Sequence, residues 1–223
     1  MQERVVLKMA STKHDTNILI MENEIYLMKD ISHPNVVCLI ECFFLVDQII
    51  IEMEFCARGT LSRYIRKGFH FKENHISCIA RELLTGLEYL HNERLIVHND
   101  LKSENVLVND QYEVKICDFG LSKVRDDPVC VQVFTLILQF RVDEQMTGAT
   151  LGTKEYIAPE LLMQTSNYGT KCDVYSFGII MYELFFNQRP YTPLDLEEDF
   201  EYVQENMFMF GFKVISGERP DIP

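Results

Sequence analysis

Two short stretches of this 223-residue chain hold oxygen-bearing side chains at close spacing. The first runs Ile96-Val97-His98-Asn99-Asp100-Leu101-Lys102-Ser103-Glu104-Asn105-Val106-Leu107-Val108, and the second is Val114-Lys115-Ile116-Cys117-Asp118-Phe119-Gly120. Val106–Val108 and Val114–Ile116 are short β-prone runs, and Asn109-Asp110-Gln111-Tyr112-Glu113 between them reads as a hairpin connection. Such a hairpin brings Asp100 and Asn105 to the rim from which Asp118 emerges, with Lys102 between them. Hard oxygen ligands beside an ammonium suit a divalent cation that carries phosphate.

The elements that must position these residues are legible in outline. Val5–Ala10 is β-branched and apolar apart from Lys8, and it reads as a strand. Thr16–Lys29 has apolar residues at helical spacing and a polar face with Glu22 and Glu24. Ser32-His33-Pro34-Asn35 ends it, because a residue before proline avoids the helical region. Val36–Ile40 and Gln48–Met53 read as strands, and Leu61–Lys67 as a short helix stopped by Gly68. Asn74–Glu93 carries Ile76, Ile79, Ala80, Leu83, Leu84, Leu87 and Leu90 on one stripe, and Asp173–Phe186 reads as a mostly buried helix. Strands before about residue 56 and helices after it give two compositional halves.

Composition narrows the partners. The net charge is −13 with 21 Lys+Arg against 34 Asp+Glu, so no basic surplus exists to neutralise nucleic-acid phosphates or an anionic membrane. Seven cysteines are present, an odd number without C-x-x-C pairs, which implies reduced thiols and a cytoplasmic chain. No run approaches the ~18 apolar residues of a membrane span. Oligomeric state leaves no mark on the sequence.

The order and spacing of the polar residues resemble the catalytic and metal-binding loops of eukaryotic protein kinases, H-R-D-L-K-x-x-N and then D-F-G. Val5-Val6-Leu7-Lys8 is similar to the family's V-A-I-K, and Gly152-Thr153-Lys154-Glu155-Tyr156-Ile157-Ala158-Pro159-Glu160 resembles its G-T-x-x-Y-x-A-P-E. The resemblance implies an α+β, two-lobe protein kinase-like fold. An incomplete N-terminal β lobe would cover residues 1–56 and a mainly helical C-terminal lobe residues 57–223. It implies ATP and Mg²⁺ as cofactors and serine or threonine hydroxyls of a protein substrate as acceptors. Lys8 would grip the α- and β-phosphates, held by Glu24. Met53, Glu54, Cys56 and Leu107 fall in the nucleotide-binding set, with Met53 at the back of the adenine pocket and Glu54 to Cys56 as the hinge. Asp100 would orient the substrate hydroxyl and Lys102 would neutralise the phosphoryl group in transfer. Thr153 would hydrogen-bond to both. Asn105 and Asp118 would hold Mg²⁺. His98 and Phe119 would pack behind the site, and Asp173 would brace the loop backbone. Gly217-Glu218-Arg219-Pro220 resembles the G-x-R-P of tyrosine-kinase-like enzymes.

The chain departs from the family pattern in places. Asn99 stands where the family has the arginine that binds a phosphorylated activation loop, so regulation by that route is not expected. Val6 stands for an alanine above adenine and narrows that pocket. The first glycine is Gly59, so no G-x-G-x-x-G lid precedes Lys8, and the chain reads as a kinase domain trimmed at both ends or a truncated gene model. Val129–Phe140 is an apolar run inside a long segment between the D-F-G and A-P-E motifs. It reads as a translated intron or a docking insert, which the mature transcript would decide. Two alternatives accompany the kinase reading. One is a pseudokinase acting as an interaction scaffold, favoured by the missing lid. The other is an unrelated α/β nucleotide enzyme, which would need an early glycine-rich turn.

Overall fold

The computed structural model describes residues 4–125, 154–163, 169–191 and 213–222. Strands β1 (Val5–Ser11), β2 (Leu39–Phe44) and β3 (Gln48–Glu54) form an antiparallel sheet in the order β1-β3-β2. A tight turn joins β2 to β3, where Leu45 N donates to Gln48 O at 2.8 Å. Helix α1 (Asp15–Met28) packs on the sheet through Met21, Leu27 and Met28, all buried. Alternation along β1 sends Leu7 and Met9 outward, while Lys8 points toward the helix.

One expected strand is displaced. The apolar run at 36–40 reads as a strand, yet β2 begins only at Leu39. Val36 and Val37 are fully buried, as a strand pattern demands, but Val37 N instead donates to Ile116 O and Ile116 N to Asn35 O, both at 2.9 Å. The turn after α1 is thereby stitched to the second half of the molecule. Gly86 allows this close approach, since a Cβ there would lie 2.9 Å from Asn35 O.

The second half is mostly helical. Thr60 caps α2 (Leu61–Arg66) by accepting from Arg63 N, and Gly68 ends it at φ +70°. Helix α3 (Glu73–Glu88) continues through one wide turn over Tyr89–Glu93 and buries Ile76, Ile79, Leu83, Leu87 and Leu90, but Leu84 of the expected stripe faces outward and Ala80 is half-buried, because the buried face is narrower than the apolar pattern. Strand β4 (Ile96–Val97) pairs with β7 (Lys123–Val124), and β5 (Val106–Val108) with β6 (Val114–Ile116) as the expected hairpin. Pro159 starts the short helix α4 (Pro159–Leu162), and α5 (Lys171–Phe186) packs on α3 through Ile179, Ile180 and Leu184. One core joins the halves: Met28, Ile51, Leu83, Leu90, Ile116, Phe119 and Ile180 are buried in the same cluster. Each such side chain contributes roughly 1.5–3 kcal/mol by leaving water.

The fold is therefore α+β, with a strand-rich N-terminal part and a helical C-terminal part, as the motif resemblance implied. Among the described residues no helix is long and apolar enough to cross a membrane. The apolar run at 129–140 and Thr153 lie outside the described residues.

Candidate active site

The site forms where β1, α1, the loop after β4 and the turn after β6 converge. Lys8 Nζ donates to both carboxylate oxygens of Glu24, at 2.9 and 2.6 Å, and to Asp118 Oδ1 at 2.8 Å. The three residues are 16 and 110 positions apart in the chain, so only the tertiary fold unites them. Glu24 lies on the sheet-facing side of α1 with no exposed surface, although the sequence placed it on a polar face. Gly120 lets the turn after β6 approach this helix: a Cβ there would lie 3.0 Å from Ile20 Cγ2. A side chain there would crowd Ile20, which would have to give way.

Electrostatics favour the charged forms of Lys8 and Asp118, whereas burial, opposed by the Lys8 ammonium, pushes the Glu24 carboxyl above its ordinary value. Burial lowers the Lys8 pKa, but the carboxylates of Glu24 and Asp118 outweigh it and hold Lys8 above its ordinary value. Burial likewise pushes Asp118 up, yet the Lys8 ammonium prevails and keeps the carboxyl below its ordinary value. Asp118 also sits at φ +68°, in the left-handed region, so backbone strain is spent to aim its carboxylate at Lys8.

The second cluster lies in the loop after β4. Lys102 Nζ donates to Asp100 Oδ1 and Oδ2 at 3.1 and 2.9 Å. Asn105 Nδ2 donates to Asp100 O at 2.8 Å and to Asp100 Oδ2 at 3.1 Å. The amide is thus oriented so that its carbonyl oxygen is the atom it can offer a cation. Cys117 N donates to Asn105 O at 2.9 Å, which places Asn105 beside the residue preceding Asp118.

The loop backbone is fixed from below. Asp173, fully buried on α5, accepts from His98 N and Asn99 N, both at 2.8 Å, as the resemblance implied. Its helix begins at Lys171 after the cap residue Thr170, so Asp173 is not a helix cap. His91 Nε2 lies 2.7 Å from the same carboxylate. His98 is a packed histidine: its ring lies 5.2 Å from Phe119 and its Nε2 lies 3.0 Å from Cys117 O. Asn99 sits at φ +64°, a conformation that asparagine tolerates better than most residues. Its Nδ2 donates to Leu121 O at 3.1 Å, and Cys172 Sγ donates to its Oδ1 at 3.5 Å. The residue that breaks the family motif is therefore a cross-link between loops.

Of the residues expected to line a nucleotide, Met53 and Cys56 are buried and Leu107 is half-buried on β5. Cys56 is held by burial at about 11, far from a reactive thiolate. The Glu54 carboxylate turns away from a base: it pairs with Lys115 at 3.0 Å and accepts from Cys38 N at 2.9 Å. The Glu54 backbone N–H is engaged as well, donating to Cys38 O at 3.3 Å. Val6 lies directly across from Met53 in the β1–β3 register.

A further network was not legible in the sequence. Tyr156, the tyrosine of the G-T-x-x-Y motif, donates its hydroxyl proton to Glu183 Oε2 at 2.8 Å and lies 3.0 Å from Ser103 Oγ. Ser176 Oγ donates to Tyr156 O at 2.7 Å. This network ties the segment before α4 to the Asp100 loop and to α5. Burial pushes Glu183 up to about 7.

The donor chemistry discriminates between metal sites. Among the described residues no group of three or more His, Cys, Asp or Glu side chains is placed to hold a metal ion by itself. One carboxylate (Asp118) and one amide oxygen (Asn105) fit Mg²⁺ only when phosphate oxygens complete the shell. That is the donor set of a phosphoryl-transfer centre.

A protein kinase domain model matches residues 1–219. This chain belongs to the protein kinase family. Its curated relatives are of the same kind. A probable cell cycle serine/threonine-protein kinase, CDC5 homolog, from Encephalitozoon cuniculi is 30% identical over 191 residues, covering 85% of this chain and 37% of that protein. The probable serine/threonine-protein kinase SIS8 of Arabidopsis thaliana is 36% identical over 175 residues, covering 78% of this chain and 15% of its own length. Serine/threonine-protein kinase 33 of Bos taurus is 29% identical over 202 residues, covering 86% and 38%. The kinase domain described here thus spans well under half the length of these relatives.

Proposed function

We propose that this kinase domain transfers the γ-phosphoryl group of ATP, with Mg²⁺, to serine or threonine hydroxyls of protein substrates. The observation that carries the reading is the Lys8–Glu24–Asp118 triad. A phosphate-gripping ammonium, its buried brace and an oxygen ligand for a cation meet within 2.6–2.9 Å. The Asp100–Lys102 pair beside it supplies the groups that act on the acceptor. The printed names of the relatives supply the acceptor class, serine or threonine.

In this reading Lys8 binds the α- and β-phosphates and Glu24 keeps its ammonium on the axis of β1. Met53, Cys56, Leu107 and the backbone of Glu54 line the base. Asp118 and the Asn105 carbonyl oxygen hold Mg²⁺. When bound, that ion neutralises charge on the β- and γ-phosphates. Asp100 orients the substrate hydroxyl and accepts its proton, and Lys102 neutralises the phosphoryl group as it passes. Thr153 would bond to Asp100 and Lys102 from the segment ahead of Lys154. The intact set of charged groups favours catalysis over the scaffold alternative.

The test is phosphate incorporation from Mg-ATP into a serine- and threonine-containing protein, followed by identification of the modified residue. Asp100→Asn is expected to lose at least ~100-fold of the rate, and Lys8→Met to lose nucleotide-dependent turnover. Equal incorporation by the unaltered chain and both variants would overturn the reading.

A further inference from the structure

We propose that Lys8 has a second role: it is a built-in counter-ion that keeps Asp118 closed to a divalent cation arriving without nucleotide. This rests on the reading of Asp118 as a metal ligand. The two partners of Lys8 are unequal. Glu24 has no exposed side-chain surface and takes the ammonium on both oxygens, at 2.9 and 2.6 Å. Asp118 is 39% exposed and takes it on Oδ1 at 2.8 Å. Breaking the buried pair would strand a charge away from water, whereas a half-exposed contact exchanges at little cost. Lys8 is therefore anchored at Glu24 and exchangeable at Asp118.

The neighbouring carboxylate is guarded in the same way. Lys102 covers both oxygens of Asp100, at 3.1 and 2.9 Å. Across the site the Lys8 and Lys102 ammoniums already engage Glu24, Asp118 and Asp100, so a lone divalent cation meets carboxylates that have cationic partners. Mg²⁺ gives up its water reluctantly for ligands so engaged. A polyphosphate reverses the balance. Its negative oxygens draw the Lys8 ammonium, which Glu24 keeps within reach, and Asp118 Oδ1 is released to the cation arriving with the phosphates. Metal and nucleotide affinities are then coupled through one lysine, and the coupling is reciprocal.

The test uses Mn²⁺ as the probe, with free Mn²⁺ read by electron paramagnetic resonance, on the full chain with and without a non-hydrolysable ATP analogue. The unaltered chain is expected to bind Mn²⁺ weakly alone and more tightly with the analogue. Lys8→Met should bind Mn²⁺ alone at least about tenfold more tightly. Lys8→Arg, which keeps the charge, should stay at the original affinity. The gain should vanish in Lys8→Met combined with Asp118→Asn, which assigns it to that carboxylate. If Lys8→Met does not fold by circular dichroism, Lys8→Gln takes its place. Equal Mn²⁺ affinity before and after removal of the Lys8 charge overturns the proposal. Absence of Mn²⁺ binding even with the analogue overturns the metal-ligand reading of Asp118 instead.

Discussion

The two halves of the site are held by different forces. On the nucleotide side, Lys8 is placed by ion pairs between side chains drawn from β1, α1 and the turn after β6. On the acceptor side, the Asp100 loop is placed through its backbone, with Asp173 accepting two main-chain N–H groups from the buried end of α5. Side-chain ion pairs respond to ligand charge and to salt. Buried backbone hydrogen bonds do not, and they rigidify the loop. Under the proposed function the contrast would suit the task, because the phosphate side would exchange ligands every turnover while the acceptor side would need one fixed geometry.

The largest effect is expected from breaking the acceptor side at its brace. Asp173→Asn leaves an amide N–H against donors that now lack an acceptor, and it removes the partner of His91. Stability should fall by about 3 kcal/mol, visible as a large drop in melting temperature. A shift of a degree or less would show that the backbone brace is unimportant.

Breaking the nucleotide side should cost less. Glu24→Gln leaves Lys8 paired with Asp118 and keeps the shape, so stability should fall by roughly 1–2 kcal/mol. Nucleotide affinity should drop far more than the geometry of the acceptor loop, read as a raised KM for ATP with peptide KM unchanged. Equal loss in both would erase the distinction between the halves.

A pH titration probes a second brace of the Asp100 loop, at Glu183. Its carboxyl is raised from an ordinary 4.5 to about 7 by burial, which outweighs the opposing hydrogen bond from Tyr156. The folded state then holds the proton more tightly than the unfolded chain. That contribution to stability is full below about pH 4.5 and is lost as pH rises through about 7. Glu183→Gln should flatten this stretch of the melting-temperature profile. Asp118, with its depressed value, acts in the opposite sense: its contribution is present above its ordinary 3.8 and is lost as pH falls below it.

The smallest effect is expected at the surface. Arg66 pairs with Glu104 while 60% exposed. Arg66→Ala should change stability by no more than about 0.5 kcal/mol and leave turnover of a neutral peptide unaltered, which separates surface charge from the braces above.

What the sequence disclosed follows the same division. The Asp100–Asn105 and Asp118–Gly120 stretches are contiguous, so their proximity could be read from local order, and Lys8 stood out as the one charge in the Val5–Ala10 run. Burial was also legible: Val36 and Val37 are as apolar as a strand, and they are buried. Pairing was not, because alternation reports which side chains leave water and not which backbone they meet. Hence β2 starts at Leu39 rather than Val36. Likewise the direction of the Glu54 carboxylate is set by Lys115, 61 residues away. The His91–Asp173 contact spans 82 positions and the Tyr156–Glu183 contact 27, with no periodic pattern to announce either. The role of Asn99 emerged only from its positive φ and its bond to Leu121 O.

The division of labour between the two halves is tested most directly by measuring Mg-ATP affinity and turnover together in Asp100→Asn. Asp100 touches Lys102 and Asn105 but not Lys8 or Glu24, so the expected result is nucleotide affinity within about twofold of the unaltered chain and turnover lower by at least ~100-fold. A variant that loses nucleotide affinity in proportion to its turnover would contradict the account.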